Sequence, residues 1–285
     1  MEQALATNII GAMTNDLDSR LEFTIALARR AGELGMTFFR EIDKLTIESK
    51  GHQDLVSNGD REVELFVRAS LAKEYPQDGI VGEEHAPVKG TSGYTWVIDP
   101  IDGTANFVRG IPAWAVVIAC VKDNTTVVGV VHEPSSGETF YARRGGGAFV
   151  NGRPLKASGA ASISEGSIGV GFNNRTNARQ IVPLVASIVD DGGVFFRNAS
   201  GALMLAYVAA GRLIGYSEEH MNAWDCLAAM LMIEEAGGIV EPFNRGNVIE
   251  NGTIAIAGGK GVFGKIRDMS ASAYGLSAEG AVGSG

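Results

Sequence analysis

The run Trp96-Val97-Ile98-Asp99-Pro100-Ile101-Asp102-Gly103-Thr104-Ala105-Asn106-Phe107 carries the densest chemistry in the chain. Asp99 closes an apolar segment, Pro100 fixes one backbone torsion, and Asp102-Gly103 forces a sharp turn. Two carboxylates and the Ile101 carbonyl can therefore face one point. Hard divalent cations such as Mg²⁺ take oxygen ligands at about 2.1 Å and complete their shell with waters and substrate phosphate oxygens. Three further acidic segments lie where elements end: Val81-Gly82-Glu83-Glu84, Trp224-Asp225 opening a helix, and Gln53-Asp54-Leu55. His85 and Cys226 adjoin these segments, but no zinc-type spacing of His and Cys appears, which disfavours a zinc site. Gly103-Thr104-Ala105-Asn106 adds backbone N–H groups after a glycine and a hydroxyl able to position water, as a phosphate requires. Clustered carboxylates would repel a phosphate monoester, and bound Mg²⁺ reverses that field. Each piece also has a plain structural reading. Asp99 to Gly103 makes an Asx-capped turn, Glu83-Glu84 a solvated acidic pair, Asp225 a dipole-favoured helix start, and Asp54 a loop carboxylate.

The elements that must position these groups follow from hydrophobic period. Leu21, Ile25, Ala28, Leu34 and Phe38 keep near-helical spacing behind an Asp18-Ser19 capping candidate, which predicts a helix over 21–39. A second helix is expected over 60–74, ended by Pro76. The chain then changes period: 94–99, 115–122, 125–132 and 138–143 are short, rich in Val, Ile, Tyr and Thr, and separated by turn residues, the pattern of an antiparallel meander. From Ser167 onward, strands at 167–171, 194–197, 213–216, 239–241 and 253–257 alternate with helices at 178–189, 201–210 and 223–235 and a final helix, which predicts mixed α/β layering. The polar stretch from Ser158 to Gly166 marks the boundary between halves. The expected organisation is an N-terminal extension at 1–20, an α+β half at 21–157, an α/β half at 158–275 and a flexible tail at 276–285.

The composition suits such a core: 285 residues, 45% apolar and 20% charged, with 38 Gly and 8 Pro, which excludes disordered and fibrous architectures. With 24 Lys plus Arg against 33 Asp plus Glu, the net charge of -9 argues against general attraction to nucleic acid or anionic lipid. The apolar runs fall short of the roughly 20 residues that span a bilayer, and no basic start precedes an apolar block, so a protein of the cytoplasm is expected. Cys120 and Cys226 lie in apolar surroundings and read as buried thiols in a reducing compartment.

Taken in order, Gly82-Glu83-Glu84, the run from Trp96 to Phe107, and Trp224-Asp225-Cys226-Leu227-Ala228-Ala229 continuing to Glu235-Ala236-Gly237-Gly238 resemble the inositol monophosphatase family of Mg²⁺-dependent, lithium-sensitive phosphatases. The likeness covers about Leu21 to Met269. It implies an α/β fold of layered αβαβα type, two to three Mg²⁺ ions between the halves, and a homodimer. By resemblance, Glu83, Asp99 and the Ile101 carbonyl hold one ion, and Asp99, Asp102 and Asp225 hold a second. A third ion near Glu83 activates water, with Thr104 and Asp54 orienting it and taking its proton. Phosphate would meet the Gly103 and Thr104 amides beside Asp102. The alcohol part would meet Glu218, Asp225 and the helix start at Ala199-Ser200-Gly201. The departures lie where substrates are chosen: Ala199 stands where glycine is usual, Ile214 where aspartate is common, and Asn222 beside the Trp-Asp pair. Inositol 1-phosphate is the leading substrate, with histidinol phosphate, fructose bisphosphate and 3′-phosphoadenosine nucleotides as rivals. A regulatory partner of transcription machinery is the reading from another class.

Overall fold

The computed structural model describes residues 2–51, 54–173, 176–243 and 246–276, and side chains from residue 16 onward except 50, 51 and 54 within those spans. The first half starts with helix α1 (Glu2–Arg40), a short antiparallel hairpin of β1 (Ile47–Gly51) and β2 (Asp54–Ser57), and helix α2 (Asn58–Glu74). Strands β3 (Gly79–Gly82) and β4 (Tyr94–Asp102), the single turn α3 (Thr104–Phe107), and strands β5 (Ala115–Lys122), β6 (Thr125–Glu133), β7 (Glu138–Arg143), β8 (Ala148–Val150) and β9 (Arg153–Pro154) follow. These strands form one sheet in chain order, with β3 parallel to β4 and every later pair antiparallel. The meander owes its tightness to turns such as Asp123-Asn124, both at positive φ (48° and 59°), which matches strand twist in a two-residue hairpin.

The second half contains β10 (Ser167–Val170), α4 (Ala178–Asp190), β11 (Val194–Phe196), α5 (Gly201–Ala209), β12 (Gly215–Met221), α6 (Ala223–Glu235), β13 (Ile239–Val240), α7 (Val248–Asn251), β14 (Thr253–Gly258) and α8 (Phe263–Tyr274). Its sheet has the order β11-β10-β12-β14-β13, parallel across the first three strands and antiparallel beyond.

Period-two alternation assigns the layers. On β5, Val116, Ile118 and Cys120 pack with Leu27, Ala28 and Ala31 of α1 and Val63, Val67 and Leu71 of α2. Ala115, Val117 and Ala119 point the other way, into α5 and α6. Those two helices are buried nearly all round, as the apolar character of both requires of a middle layer. Tyr216, Ala255 and Ala257 cover their far side, while Ile168, Ile254 and Ile256 on the opposite face of that sheet meet Leu184 and Ile188 of α4 and Ile266 of α8. The result is the expected αβαβα stack.

Two expectations shift. α1 begins well before Leu21, so Asp18 and Ser19 lie inside it and Asp18 pairs with Arg143 of β7 instead of capping. No proline interrupts the preceding residues, and a polar residue inside a helix costs only a fraction of a kcal/mol. β12 runs on to Met221 although Ser217-Glu218-Glu219-His220 carries no apolar signal, because its pairing with β14 sets the strand. The tail from residue 277 on lies outside the described residues.

Candidate active site

Asp99 and Asp102 reach one point by a register fault in β4. Asp99 pairs with Val117 of β5 and Asp102 with Ala115, so three steps on one strand oppose two on the other. A regular strand would send residues of odd spacing to opposite faces; the extra residue returns Asp102 to the face of Asp99. The packing on either side agrees. Ile98 and Ile101, also three apart, both face α1 and α2, while Ala115 and Val117 face the middle helices. Asp225 comes from the far side, in the first turn of α6. One carboxylate oxygen from each of Asp99, Asp102 and Asp225 lies within 4.8 Å of the others.

Each carboxylate is oriented by donors of its own. Asp99 Oδ1 accepts the Ile101 N–H at 2.9 Å. Asp102 Oδ2 accepts the Ser200 hydroxyl and the Ala202 N–H, the latter at 2.9 Å, and so caps α5. Asp225 Oδ2 accepts the Asn222 N–H at 3.1 Å and its side-chain Nδ2–H at 3.3 Å. Fixing one oxygen of a carboxylate fixes the direction of the other, the arrangement that orients metal ligands.

The three acids resist ionisation together. Burial, then Glu83, Asp102 and Asp225, hold the Asp99 carboxyl well above the usual range. Burial pushes Asp102 up to about 6 against the pull of Ser200 and the α5 amides. Burial, with the charges of Asp102 and Glu218, pushes Asp225 up to about 8. A cation among them would remove that penalty. The donor set is all oxygen, and Cys226 turns its thiol to the Asn222 carbonyl at 3.3 Å, so the residues fit a hard ion and not zinc.

The trio floors a cavity of about 840 Å³ that Glu83, Thr104 and Glu218 also line. Glu83 acts on Asp99 by charge from the β3 side but is not one of the three whose oxygens lie within 4.8 Å. Ile101, Gly103, Ala199 and Gly201 reach the cavity wall as well. Gly103 adopts the left-handed region (φ 96°), which swings α3 away from β4. Glu218 is buried, accepts the Tyr216 hydroxyl at 2.6 Å and an Asn173 N–H at 3.1 Å, and is pushed up to about 7, mainly by burial. Ser200 is fully buried and gives its hydroxyl to Asp102, so its place is behind the wall. Of the polar loop from Gly171 to Thr176, Gly171, Phe172, Asn173 and Thr176 line the cavity, and Asn174 and Arg175 lie outside the described residues.

Asp54 opens β2, and its side chain lies outside the described residues. The carboxylate set against Thr104 is Asp60: the Thr104 hydroxyl donates to Asp60 Oδ1 at 3.0 Å and also lies 3.1 Å from the Ile101 carbonyl. Sequence reading passed over Asp60 because it sits in a capping box, where Oδ2 accepts the Ser57 N–H at 2.8 Å and hydroxyl at 2.6 Å. The Ser57-x-x-Asp60 spacing marks a cap, but nothing in the sequence marks its second oxygen for Thr104. Burial raises the Asp60 carboxyl, with Ser57 and Thr104 opposing.

A layered αβαβα protein with an acidic centre between its halves that could hold a metal ion is the class defined by this fold and site. A sequence model of the inositol monophosphatase family matches residues 16–271, and the chain belongs to that family. It is a phosphoric monoester hydrolase, of a family whose substrates are small phosphate esters. It is 38% identical over 239 residues to the inositol-1-monophosphatase of Mesorhizobium japonicum, covering 82% of this chain and 90% of that protein. It is likewise 38% identical over 231 residues to the Nus factor SuhB of Escherichia coli K12, covering 80% and 86%. The solved structure of extragenic suppressor protein suhB from Bartonella henselae superposes with a TM-score of 0.84 at 32% identity, covering 88% of this chain and 98% of that one. Among the described residues no helix is long and apolar enough to cross a membrane.

Proposed function

We propose that this chain is a Mg²⁺-dependent phosphatase of inositol 1-phosphate or a closely related polyol phosphate. The observation that carries the reading is the convergence of Asp99, Asp102 and Asp225 on one point in a cavity that also presents Glu218. Glu83, Asp99 and the Ile101 carbonyl would hold one ion and Asp99, Asp102 and Asp225 another, with a third near Glu83. Bound there, Mg²⁺ supplies charge neutralisation for the phosphate and for the entering and departing oxygens.

The chain's own groups do the rest. The Thr104 hydroxyl donates to Asp60, which leaves its lone pairs free to accept a proton from an incoming water. As the water oxygen bonds to phosphorus the ester P–O bond breaks: the water's proton passes to Thr104, the hydroxyl proton of Thr104 passes to Asp60, and the departing alkoxide takes a proton from solvent water in the cavity. Burial makes Asp60 a better base than a free aspartate. The Gly103 and Thr104 amides orient the phosphate, and Glu218, with the wall at Ala199 and Gly201, accepts hydroxyl donors of the alcohol part. No phosphoenzyme forms.

The protein acts in the cytoplasm as a homodimer. Support for the dimer is an apolar edge made of Val194 and Phe195 on β11 and Val182 and Val189 on α4, all about half-exposed or more. Two free, buried cysteines suit a reducing compartment. The test is phosphate release with and without Mg²⁺ across inositol 1-phosphate, histidinol phosphate, fructose bisphosphate and a 3′-phosphoadenosine nucleotide, ranked by kcat/KM. Inositol 1-phosphate should rank first, and no release from any ester would refute the reading. Because some relatives are called Nus factors, a transcription-linked binding role is the second reading. It gains if Asp99→Asn abolishes turnover yet preserves the cellular phenotype.

A further inference from the structure

Glu83 sits on the segment that directly follows β3. β3 ends at Gly82, and the chain regains pairing only at the Ile80 to Val88 bridge. Support for it comes from α2. Glu64, whose side chain is fully buried, accepts the backbone N–H of Glu84 at 2.7 Å and of His85 at 3.1 Å. Arg68, one turn further along, donates to Glu64 Oε1 at 2.6 Å and to the carbonyls of His85 at 2.9 Å and Ala86 at 3.1 Å. The segment after Glu83 is thus held by its amides and its carbonyls from one helix face.

The same face carries Asp60, four residues before Glu64, which holds Thr104. One helix therefore registers both arms of the site, the β3 arm with Glu83 and the β4 arm with Thr104. Gly82 fits this contact closely: a Cβ there would overlap the Glu64 carboxylate, so any larger residue would displace it.

We propose that Glu64 is a positioning residue for the metal centre, which with Arg68 and the space left by Gly82 sets Glu83 at its working position. This rests on the reading of Glu83 as a metal ligand. It also assigns the Gly82-Glu83-Glu84 run three distinct jobs: Gly82 gives room, Glu83 gives a carboxylate to the site, and Glu84 gives its N–H to Glu64.

The test compares wild type with Glu64→Gln and with Gly82→Ala. The second variant reaches the same contact from the loop side and leaves the Glu64 and Arg68 residues themselves unchanged, so it decides the matter if the first fails to fold. Calorimetric Mg²⁺ titration of the full chain without substrate should show affinity weakened about tenfold or more, the usual consequence of disturbing groups that orient ligands. The Mg²⁺ concentration for half-maximal phosphate release should rise in step, while kcat at saturating Mg²⁺ stays within about threefold. Without metal, hydrogen exchange of the Glu84 and His85 amides should quicken in both variants. Folded variants with wild-type Mg²⁺ affinity would overturn the proposal even if stability changed. A wild type that Mg²⁺ neither binds nor activates would overturn the metal reading, and this proposal with it.

Discussion

Replacing Asp225 by Asn should raise stability without metal and lower it with metal. Two unit charges 4.8 Å apart repel by about 3 kcal/mol at an effective dielectric of 20, so three ionised acids at that spacing are not tolerated. The protein keeps protons instead, which has its own cost. Asp225 is pushed up to about 8 from an ordinary 3.8, so between those values the folded state holds a proton that the unfolded state has lost. Stability from this group is complete below pH 3.8 and falls as pH rises toward 8. At pH 7.5 the loss reaches about 5 kcal/mol, at about 1.4 kcal/mol per pH unit. Halving that for solvent at a partly open carboxyl, and allowing for the weaker amide acceptor toward Asn222, leaves about 2 kcal/mol. In EDTA at pH 7.5, Asp225→Asn should therefore melt about 4 °C or more above wild type. Filling the site that Asp225 completes with Mg²⁺ at about a hundred times its Kd adds about 2.7 kcal/mol to wild type that the variant does not gain, so the order of the two melting temperatures reverses. Turnover should fall by about 10³ or more. Scanning calorimetry in EDTA and in Mg²⁺ measures both melting temperatures. Equal destabilisation of the variant in the two conditions would refute the reasoning, because it would make Asp225 a structural cap of α6.

Thr104→Val and Asp60→Asn should each lower kcat by about 10² or more while Mg²⁺ affinity, read by calorimetry, stays near wild type; a parallel loss of affinity would mean these groups shape the metal centre. Ala199 is held at φ 64°, a conformation that disfavours a side chain, so Ala199→Gly should raise the melting temperature by about 2 °C, and a fall would contradict that assignment of strain. His132 is buried, and burial with the charge of Arg29 lowers it from 6.5 to about 4. Its neutral form is favoured in the fold, so wild type should lose up to about 3 kcal/mol relative to His132→Gln as pH falls from 6.5 to 4, measured by urea denaturation. Parallel pH profiles for the two would refute it.

Much of the architecture was legible because burial pattern follows layer. The meander strands alternate cleanly, since each of their faces meets a different helical layer, and α6 is bounded at Ala223 and Glu235 as its apolar run predicts. The long-range features were not legible. The convergence of Asp99 and Asp102 looked like a product of Pro100 and a turn, whereas it depends on pairing with β5, which no local pattern contains. Asp60 was hidden by doing two jobs: its Oδ2 completes a helix cap, and only the fold brings Thr104 to its Oδ1. The polar stretch at Ser217 to His220 hid the second half of β12, because Glu218 is buried there for the site and against the usual rule for strands. Ser200 was expected at the substrate and stands one layer back, giving its hydroxyl to Asp102. Each of these is a contact between distant segments, and sequence patterns report near ones.

Three carboxylates from two halves of the chain sharing hard cations are the foundation of the proposed chemistry. A crystal soaked in Mn²⁺ and measured at the manganese absorption edge tests this most directly. Anomalous peaks should lie about 2.1 to 2.2 Å from oxygens of Asp99, Asp102 and Asp225. Peaks only at surface carboxylates, with none touching those three, would contradict it.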